Sequence, residues 1–249
     1  LIVGIDAPKR QIQDLEDVIA RKGGNVSDTI SVDQNVKALI VEVPPEHAFL
    51  FAEELRANEL VEYVEPDLKA KAFYTPNDPY WPQQWGPKKI EADIAWDTTT
   101  GSSDILVAIV DTGVDYTHPD LAANYVPLGY DWVWHDSDPM DDHGHGTHCA
   151  GIVAAKLNNN IGIAGLAQIR IMAEKVLTSA GWGYDSWVAE GIYHATDAGA
   201  RIISMSLGSS EYSTVLHDAV EYAYDHGVLV VAAAGNEAND VKNYPAAYE

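Results

Sequence analysis

Cysteine is nearly absent. Cys149 is the one thiol in 249 residues, which excludes an internal disulfide framework and any zinc site built on several cysteines. No apolar run approaches the roughly 20 residues of a membrane-spanning helix. No secretory signal opens the chain either. It starts inside a strand-like run, Leu1-Ile2-Val3-Gly4-Ile5, and reads as trimmed, so this absence says little about export. Cations are scarce: 15 Lys and Arg stand against 38 Asp and Glu, a formal net charge of −23. The excess lies mainly from Tyr74 onward, with 7 basic and 24 acidic residues, against 8 and 14 in the first 73. Such a field repels nucleic acid and anionic membrane, which makes both poor partners; it suits bound cations and a salty or hot habitat. What is plentiful is apolar content, 47%, enough to bury one full core and to allow two domains.

In chain order, residues 1–73 alternate strand and helix signals. Leu1–Ile5 reads as a strand, Gln11–Arg21 as an amphipathic helix broken by Gly23-Gly24, and Asn25–Ser31 as a weaker strand. Val36–Val43 is a clear strand, Glu46–Asn58 a helix after Pro44-Pro45, and Val61–Val64 a last strand. The order β-α-β-β-α-β is the ferredoxin-like split βαβ pattern, a small α+β domain. Pro66, Pro76, Pro79 and Pro82 then punctuate a stretch carrying Tyr74, Tyr80, Trp81 and Trp85, a linker and extended arm that mark a domain boundary.

From Ile105 the rhythm changes. Strands are predicted at Ile105–Val110, Ile169–Val176, Ile202–Met205 and Val228–Ala233, and helices at His145–Ala155, Ser186–Ala198 and Thr214–His226. Strands alternating with helices of this length give an α/β fold, a mostly parallel sheet with helices on both faces.

The chemistry gathers at one strand end and one helix start. Asp111 closes the buried-strand run Ile105-Leu106-Val107-Ala108-Ile109-Val110 with a turn, Asp-Thr-Gly. In open α/β sheets the working crevice lies at the carboxyl ends of the strands. His145 opens a helix-compatible segment and so feels the positive end of the helix dipole, which disfavours imidazolium. A buried carboxylate opposes that and holds the ring for proton transfer. Taken singly, an Asp after a strand is usually a turn former and a His in a Gly-rich segment is usually just exposed.

Four ordered motifs tip that balance. Asp111-Thr112-Gly113-Val114-Asp115 with His118-Pro119-Asp120-Leu121, His145-Gly146-Thr147-His148-Cys149-Ala150-Gly151, Ser206-Leu207-Gly208, and Ala232-Ala233-Ala234-Gly235-Asn236 together resemble the subtilisin-like serine proteases. The Cys directly after His-Gly-Thr-His and the arm Tyr74–Tyr80 resemble the thermitase and proteinase K branch. Residues 1–73 are similar, by pattern more than motif, to the family's propeptide, an intramolecular chaperone and inhibitor.

The resemblance implies the roles. Asp111 is the orienting carboxylate, His145 the general base and acid, and Asn236 the donor to the oxyanion; His143 and His148 are structural. Gly181-Trp182-Gly183 and Ser206-Leu207-Gly208 offer two strand edges between which an extended peptide pairs, with Gly235 and Glu237 nearby. Main-chain pairing reads little sequence, so broad endopeptidase specificity is expected, with Glu237 favouring a basic residue in the first pocket. The loop 157–163 resembles the family's calcium loop. Leu157, Ile161 and Ile163 would give carbonyls, Asn159 a side chain, and Asp78 and Asp120 carboxylates, oxygen ligands of the kind calcium takes. A second calcium site is expected at Asp131, Asp136 and Asp138. Cys149 is a small helix residue beside His145, so the full enzyme should be sensitive to bulky mercurials. The nucleophilic serine is expected roughly 190 residues after Asp111, beyond Glu249, so the sequence reads as the part of a secreted, monomeric zymogen that by itself forms no acyl-enzyme. Residues 1–73 are its propeptide and 74–249 the start of its catalytic domain. The propeptide is released between Ala70 and Tyr74 and, while attached, holds Val61–Ala72 in the substrate cleft.

Two readings from other classes compete. His143, His145 and His148, with Asp141 and Asp142 close in sequence, form a cluster that suits a zinc-dependent hydrolase, though Asn236 and its motif then go unexplained. The other is a non-catalytic, protease-like binding module with its own inhibitor domain.

Overall fold

Two compact units divide the chain, Leu1–Ala72 and Phe73–Glu249. The structure, a computed structural model, describes residues 1–8, 11–69 and 75–248.

The first unit follows its hydrophobic pattern. Strands β1 (Ile2–Pro8), β2 (Asn25–Val32), β3 (Asn35–Glu42) and β4 (Tyr63–Glu65) form one antiparallel sheet in the order β2-β3-β1-β4, interleaved with helices α1 (Gln13–Arg21) and α2 (Ala48–Arg56). Alternate residues of the sheet, Val3, Ile5, Leu39 and Val41, meet Leu15 and Ile19 of α1 and Phe51 and Leu55 of α2 in one core. The strand expected to be weak, β2, is eight residues long. Its side chains are mostly exposed and it is held by its ladder to β3, so burial writes little into its sequence. The helix expected from Glu46 starts later, because Pro45 opens a 3₁₀ turn, Pro45–His47, and α2 begins only at Ala48.

The second unit opens with two short helices, α3 (Trp85–Lys89) and α4 (Ala92–Ala95), which the sequence pattern does not announce. Its sheet holds β5 (Leu106–Asp111), β6 (Tyr130–Asp131), β7 (Arg170–Lys175), β8 (Ile202–Met205) and β9 (Leu229–Ala232), parallel throughout, in the order β6-β7-β5-β8-β9. Helices α5 (His145–Ala154), α6 (Asp185–Asp197) and α7 (Thr214–Asp225) complete it.

Every residue of β5 is buried, because its two faces meet two different cores. Leu106, Ala108 and Val110 pack with Val188 and Ile192 of α6, whereas Val107 and Ile109 pack with Ala150 and Ala154 of α5. That is the two-sided burial a continuous apolar run demands. The chain runs from β5 to one side of the sheet and then crosses to β8 on the other. The order therefore reverses beside β5, and the crevice for a ligand opens at the carboxyl ends of β5 and β8. Asp111 ends β5 and Ser206 directly follows β8.

The arm before α3 and Trp96, directly after α4, are fastened to the loop 157–166. Trp81 and Trp96 pack with Leu157 and Ala164. Gln84 exchanges two hydrogen bonds with the main chain of Ala164, and Trp96 Nε1 donates to the Leu166 carbonyl. Among the described residues, no helix is long and apolar enough to cross a membrane.

Candidate active site

Asp111 is 1% exposed. Its Oδ1 accepts the Thr112 N–H at 2.7 Å and the His145 Nδ1–H at 2.6 Å. An ionised carboxylate can only accept, so the ring's proton belongs on Nδ1 and Nε2 is left free to take another. The His145 side chain is 43% exposed: one edge is held by the buried acid while the other faces the cleft. Glycine makes this approach possible. A Cβ at Gly146 would stand 2.1 Å from the Gly113 carbonyl oxygen and 3.1 Å from the Asp111 Cβ, so any side chain there would push α5 off the strand end. Gly144, just before the helix, has φ +98°, a left-handed turn that L side chains seldom adopt.

His145 opens on a cleft of about 460 Å³ lined by Gly181, Trp182 and Gly183 on one side and Ser206, Leu207 and Gly208 on the other. The two segments predicted to hold substrate thus border one groove. A smaller cavity of about 160 Å³ adjoins it, sharing Ser206, Leu207 and Gly208 and adding Gly235, Asn236 and Glu237. Asn236 therefore reaches the segment that borders the His145 cleft. Gly235 has φ +101°, a left-handed conformation that L side chains seldom adopt, and a Cβ would lie 2.6 Å from the side-chain ends Asn243 Nδ2 and Glu237 Oε2. The Glu237 carboxylate folds back to accept the Asn236 N–H at 2.8 Å while it also lines this cavity.

The loop expected to bind calcium brings its members together. Asp78 and Asp120 are each 2% exposed. Asp78 accepts the N–H groups of Asn158 and Asn159, while Asp120 accepts the Asn159 Nδ2 and the Ile163 N–H. Leu157 and Ile161 belong to the same turn, and the Ile161 N–H donates to Asn159 Oδ1. Among the described residues, no Lys or Arg makes an ion pair with either carboxylate. Two buried acids with no Lys or Arg partner among the described residues, held against one loop, are oxygen ligands of the kind a hard divalent ion takes.

The second acidic loop is different. Asp131, Asp136 and Asp138 do not form a set of three carboxylate oxygens all within 4.8 Å of one another. Asp131 caps the turn of Val133 and Trp134, Asp136 accepts the Asp138 N–H, and Asp138 accepts the Tyr116 hydroxyl. Nor do His143, His145 and His148 converge. The His143 and His145 rings stand 6.3 Å apart edge to face, and the three imidazoles form no set of nitrogens within 4.8 Å. A metal-dependent hydrolase built on these rings is not favoured. Cys149 is half-buried on α5, its sulfur within 4.8 Å of ligand atoms of Asp111 and His145. Burial pushes its thiol up, against a contact from the Ser206 hydroxyl, which argues against a thiolate nucleophile.

Sequence reasoning passed over Lys175 and Glu174 and met Asp141 only as a neighbour of the histidine cluster. Lys175, 1% exposed at the end of β7, donates to the Thr112 carbonyl and to Asp142 Oδ1, each at 2.6 Å. Asp141 accepts five hydrogen bonds around the start of α5. Glu174, fully buried, joins Trp132 to His194. The available signals were a charged pair, Glu174-Lys175, ending an otherwise apolar strand, and an acid four residues before the helix-start His.

A profile of the subtilase family matches residues 102–249. The chain is 49% identical over 197 residues to a thermophilic serine proteinase of Bacillus sp. (strain AK1), covering 78% of this chain and 49% of that protein. It is 52% identical over 177 residues to thermitase of Thermoactinomyces vulgaris, covering 70% of this chain and 63% of that protein. It is also 34% identical over a 260-residue alignment to the halolysin-like extracellular serine protease Nep of Natrialba magadii, covering 100% of this chain and 48% of that protein. The chain thus spans about half the length of the curated relatives it matches.

Proposed function

Because the chain belongs to the subtilase family, we propose that residues 74–249 form the first part of the catalytic domain of a secreted serine endopeptidase, and that residues 1–73 are its propeptide. The observation that carries this reading is the 2.6 Å contact of the His145 Nδ1–H with a buried Asp111, with the opposite ring edge open to a peptide-sized groove. In the proposed cycle, an extended peptide pairs with segments 181–183 and 206–208. His145 Nε2 takes the proton of a serine hydroxyl supplied by residues beyond those given. The hydroxyl oxygen attacks the scissile carbonyl carbon, and the Asn236 amide meets the negative charge that develops on the carbonyl oxygen. His145 then returns the proton to the leaving amine as the C–N bond breaks, and the same ring takes a proton from the water that cleaves the resulting acyl-enzyme and gives it back to the serine oxygen, while Asp111 stabilises the imidazolium formed in between.

Calcium is the cofactor proposed. Asp78, Asp120, the Asn159 side chain and the carbonyls of Leu157, Ile161 and Ile163 would hold it. It would supply a positive charge that ties the arm before α3 to the loop after α5. Secretion is supported by the extracellular relative from Natrialba magadii.

The test uses the full-length protein. Casein hydrolysis and labelling by a serine-reactive fluorophosphonate are expected, and both should disappear in His145→Ala. A full-length, folded protein that neither hydrolyses casein nor takes the label sinks the proposal and leaves a non-catalytic module.

A further inference from the structure

The helix that carries His145 has no cap of its own. Gly144, the residue before it, has no side chain to offer, so the N–H groups of the first turn must find partners elsewhere. They find two. The Gly146 N–H donates to Thr112 Oγ1 at 2.9 Å, and the Thr147 N–H donates to Asp141 Oδ2 at 2.9 Å. These partners are themselves joined, since the Thr112 hydroxyl donates to Asp141 Oδ1 at 2.8 Å. Asp141 Oδ1 also accepts the N–H groups of His143 and Gly144, each at 2.9 Å, and Asp141 Oδ2 also accepts the Thr147 hydroxyl at 2.5 Å.

One carboxylate thus takes five donors from three places: the turn before the helix, the first helical turn, and the residue directly after Asp111. Thr112 follows Asp111 in the chain, while Gly144 and Gly146 flank His145. The two groups whose separation matters most, Asp111 and His145, are each one covalent step from an anchor on Asp141. Burial pushes the Asp141 carboxyl up, but the donors from Thr147, Gly144 and His143 outweigh it and hold the group below the usual carboxylate range. It is therefore an anion at neutral pH, where a helix N-terminus favours one. Charge-assisted bonds of this kind are the stronger class. The neighbouring Asp142 does not share the task, since its carboxylate faces Lys175.

We propose that Asp141 is the positioning residue of this site, the group that fixes the helix start carrying His145 against the strand end carrying Asp111. It touches neither substrate nor the reacting atoms; it acts through Thr112, Gly144 and Thr147. The inference rests on the catalytic reading of the Asp111–His145 pair, but its test needs no turnover.

The probe is the proton shared by His145 Nδ1 and Asp111, which in a short, fixed hydrogen bond resonates far downfield of the amides in a proton NMR spectrum. In the full-length protein, Asp141→Ala is expected to abolish that resonance, and Asp141→Asn, which keeps one acceptor oxygen, to weaken it. Amide exchange at Gly144 and Thr147 should quicken on the order of tenfold to a hundredfold, the loss of a charge-assisted bond. Ile192→Val, a core change on α6 outside this network, should leave the resonance in place, which separates positioning from general destabilisation. If Asp141→Asn does not fold, Thr147→Val removes one of the five donors and should weaken the resonance by a smaller step. A folded Asp141→Asn or Thr147→Val with an unchanged resonance and unchanged exchange overturns the proposal. Failure of the full-length protein to cleave peptide bonds would instead sink the catalytic reading and leave this result intact.

Discussion

The His194 ring donates through Nδ1 to Glu174 Oε1 at 2.7 Å, with the carboxylate fully buried and 37% of the His194 side chain exposed. The Trp132 indole N–H donates to the other oxygen of Glu174 at 2.7 Å, and the rings of Trp132 and Tyr130 border His194. Glu174 raises the His194 pKa above its ordinary value, through its hydrogen bond first, against desolvation, with Asp197 adding to the effect. Burial likewise pushes the Glu174 carboxyl up, against its donors His194 and Trp132. Both shifts have one sign: the folded chain binds these protons more tightly than the unfolded chain, so stability falls as pH rises. The His194 share is complete below the unfolded value of about 6.5 and is lost as pH climbs through the raised folded value. Unfolding midpoints measured from pH 6 to 9 should decline more steeply in the parent chain than in Glu174→Gln. After discounting for the exposed ring, the difference should be below about 1 kcal/mol. Equal slopes in the two chains would dismiss the couple as a pH-sensitive element.

Glu174, His194 and Trp132 also show where sequence reading runs out. The sheet was legible because β5 must bury both faces, and two-sided burial writes an unbroken apolar run that ends at Asp111. Asp111 and His145 were legible because a strand end and a helix start are local features. The Glu174 couple joins residues 20 and 42 positions apart, and nothing local marks which buried acid meets which ring. The adjacent acids Asp141 and Asp142 look alike in the sequence. One is taken by the main chain of its own turn and the other by Lys175, 33 residues on, a division that only the packed sheet decides. The spacing of Asp131, Asp136 and Asp138 likewise cannot reveal that Asp138 accepts the Tyr116 hydroxyl and Asp131 caps the turn at Val133 and Trp134.

Asn236 lines the smaller cavity with Ser206, Leu207 and Gly208, and in the proposed cycle its amide meets the charge that develops on the scissile carbonyl oxygen. That charge exists only in the transition state, so the amide should contribute to kcat and not to substrate binding. In the full-length protein, Asn236→Ala is expected to lower kcat about 10²–10³-fold, the loss known for the same donor in subtilisin, with KM changed by less than about twofold. Steady-state kinetics on one peptide substrate decide it. A raised KM with kcat preserved would make Asn236 a ground-state contact and remove it from the oxyanion role.

The proposed boundary between propeptide and enzyme falls at residues 70–74, outside the described residues. Chemistry can find it directly. N-terminal sequencing of the processed full-length protein should give a first residue from Lys71 to Tyr74, and His145→Ala should remain unprocessed if the cut is made by the protein's own active site. A mature start inside residues 1–66 would break the boundary, because it would leave part of the first unit's core attached to the enzyme.

Asp78 and Asp120 make the case for calcium sharper than an acidic composition could. Each is buried, and among the described residues neither has a Lys or Arg partner, so a bound cation would relieve a charge that the fold otherwise carries alone. A ligand at about 100 times its Kd stabilises by roughly 2.7 kcal/mol, and in a unit of this size each kcal/mol moves Tm by about 2–4 °C. Excess calcium should therefore raise Tm by roughly 5–10 °C over the chain in a chelator. Asp120→Asn perturbs the loop even without metal, since an amide would face the Ile163 N–H and Asn159 Nδ2. The informative quantity is thus the increment on adding calcium, not Tm itself. That increment should vanish in Asp120→Asn and survive in Asp136→Asn, whose carboxylate lies in the loop that does not converge. If calcium leaves Tm unchanged in the parent chain, or if the increment is lost in Asp136→Asn and kept in Asp120→Asn, the assignment of the ion to the loop 157–163 is wrong.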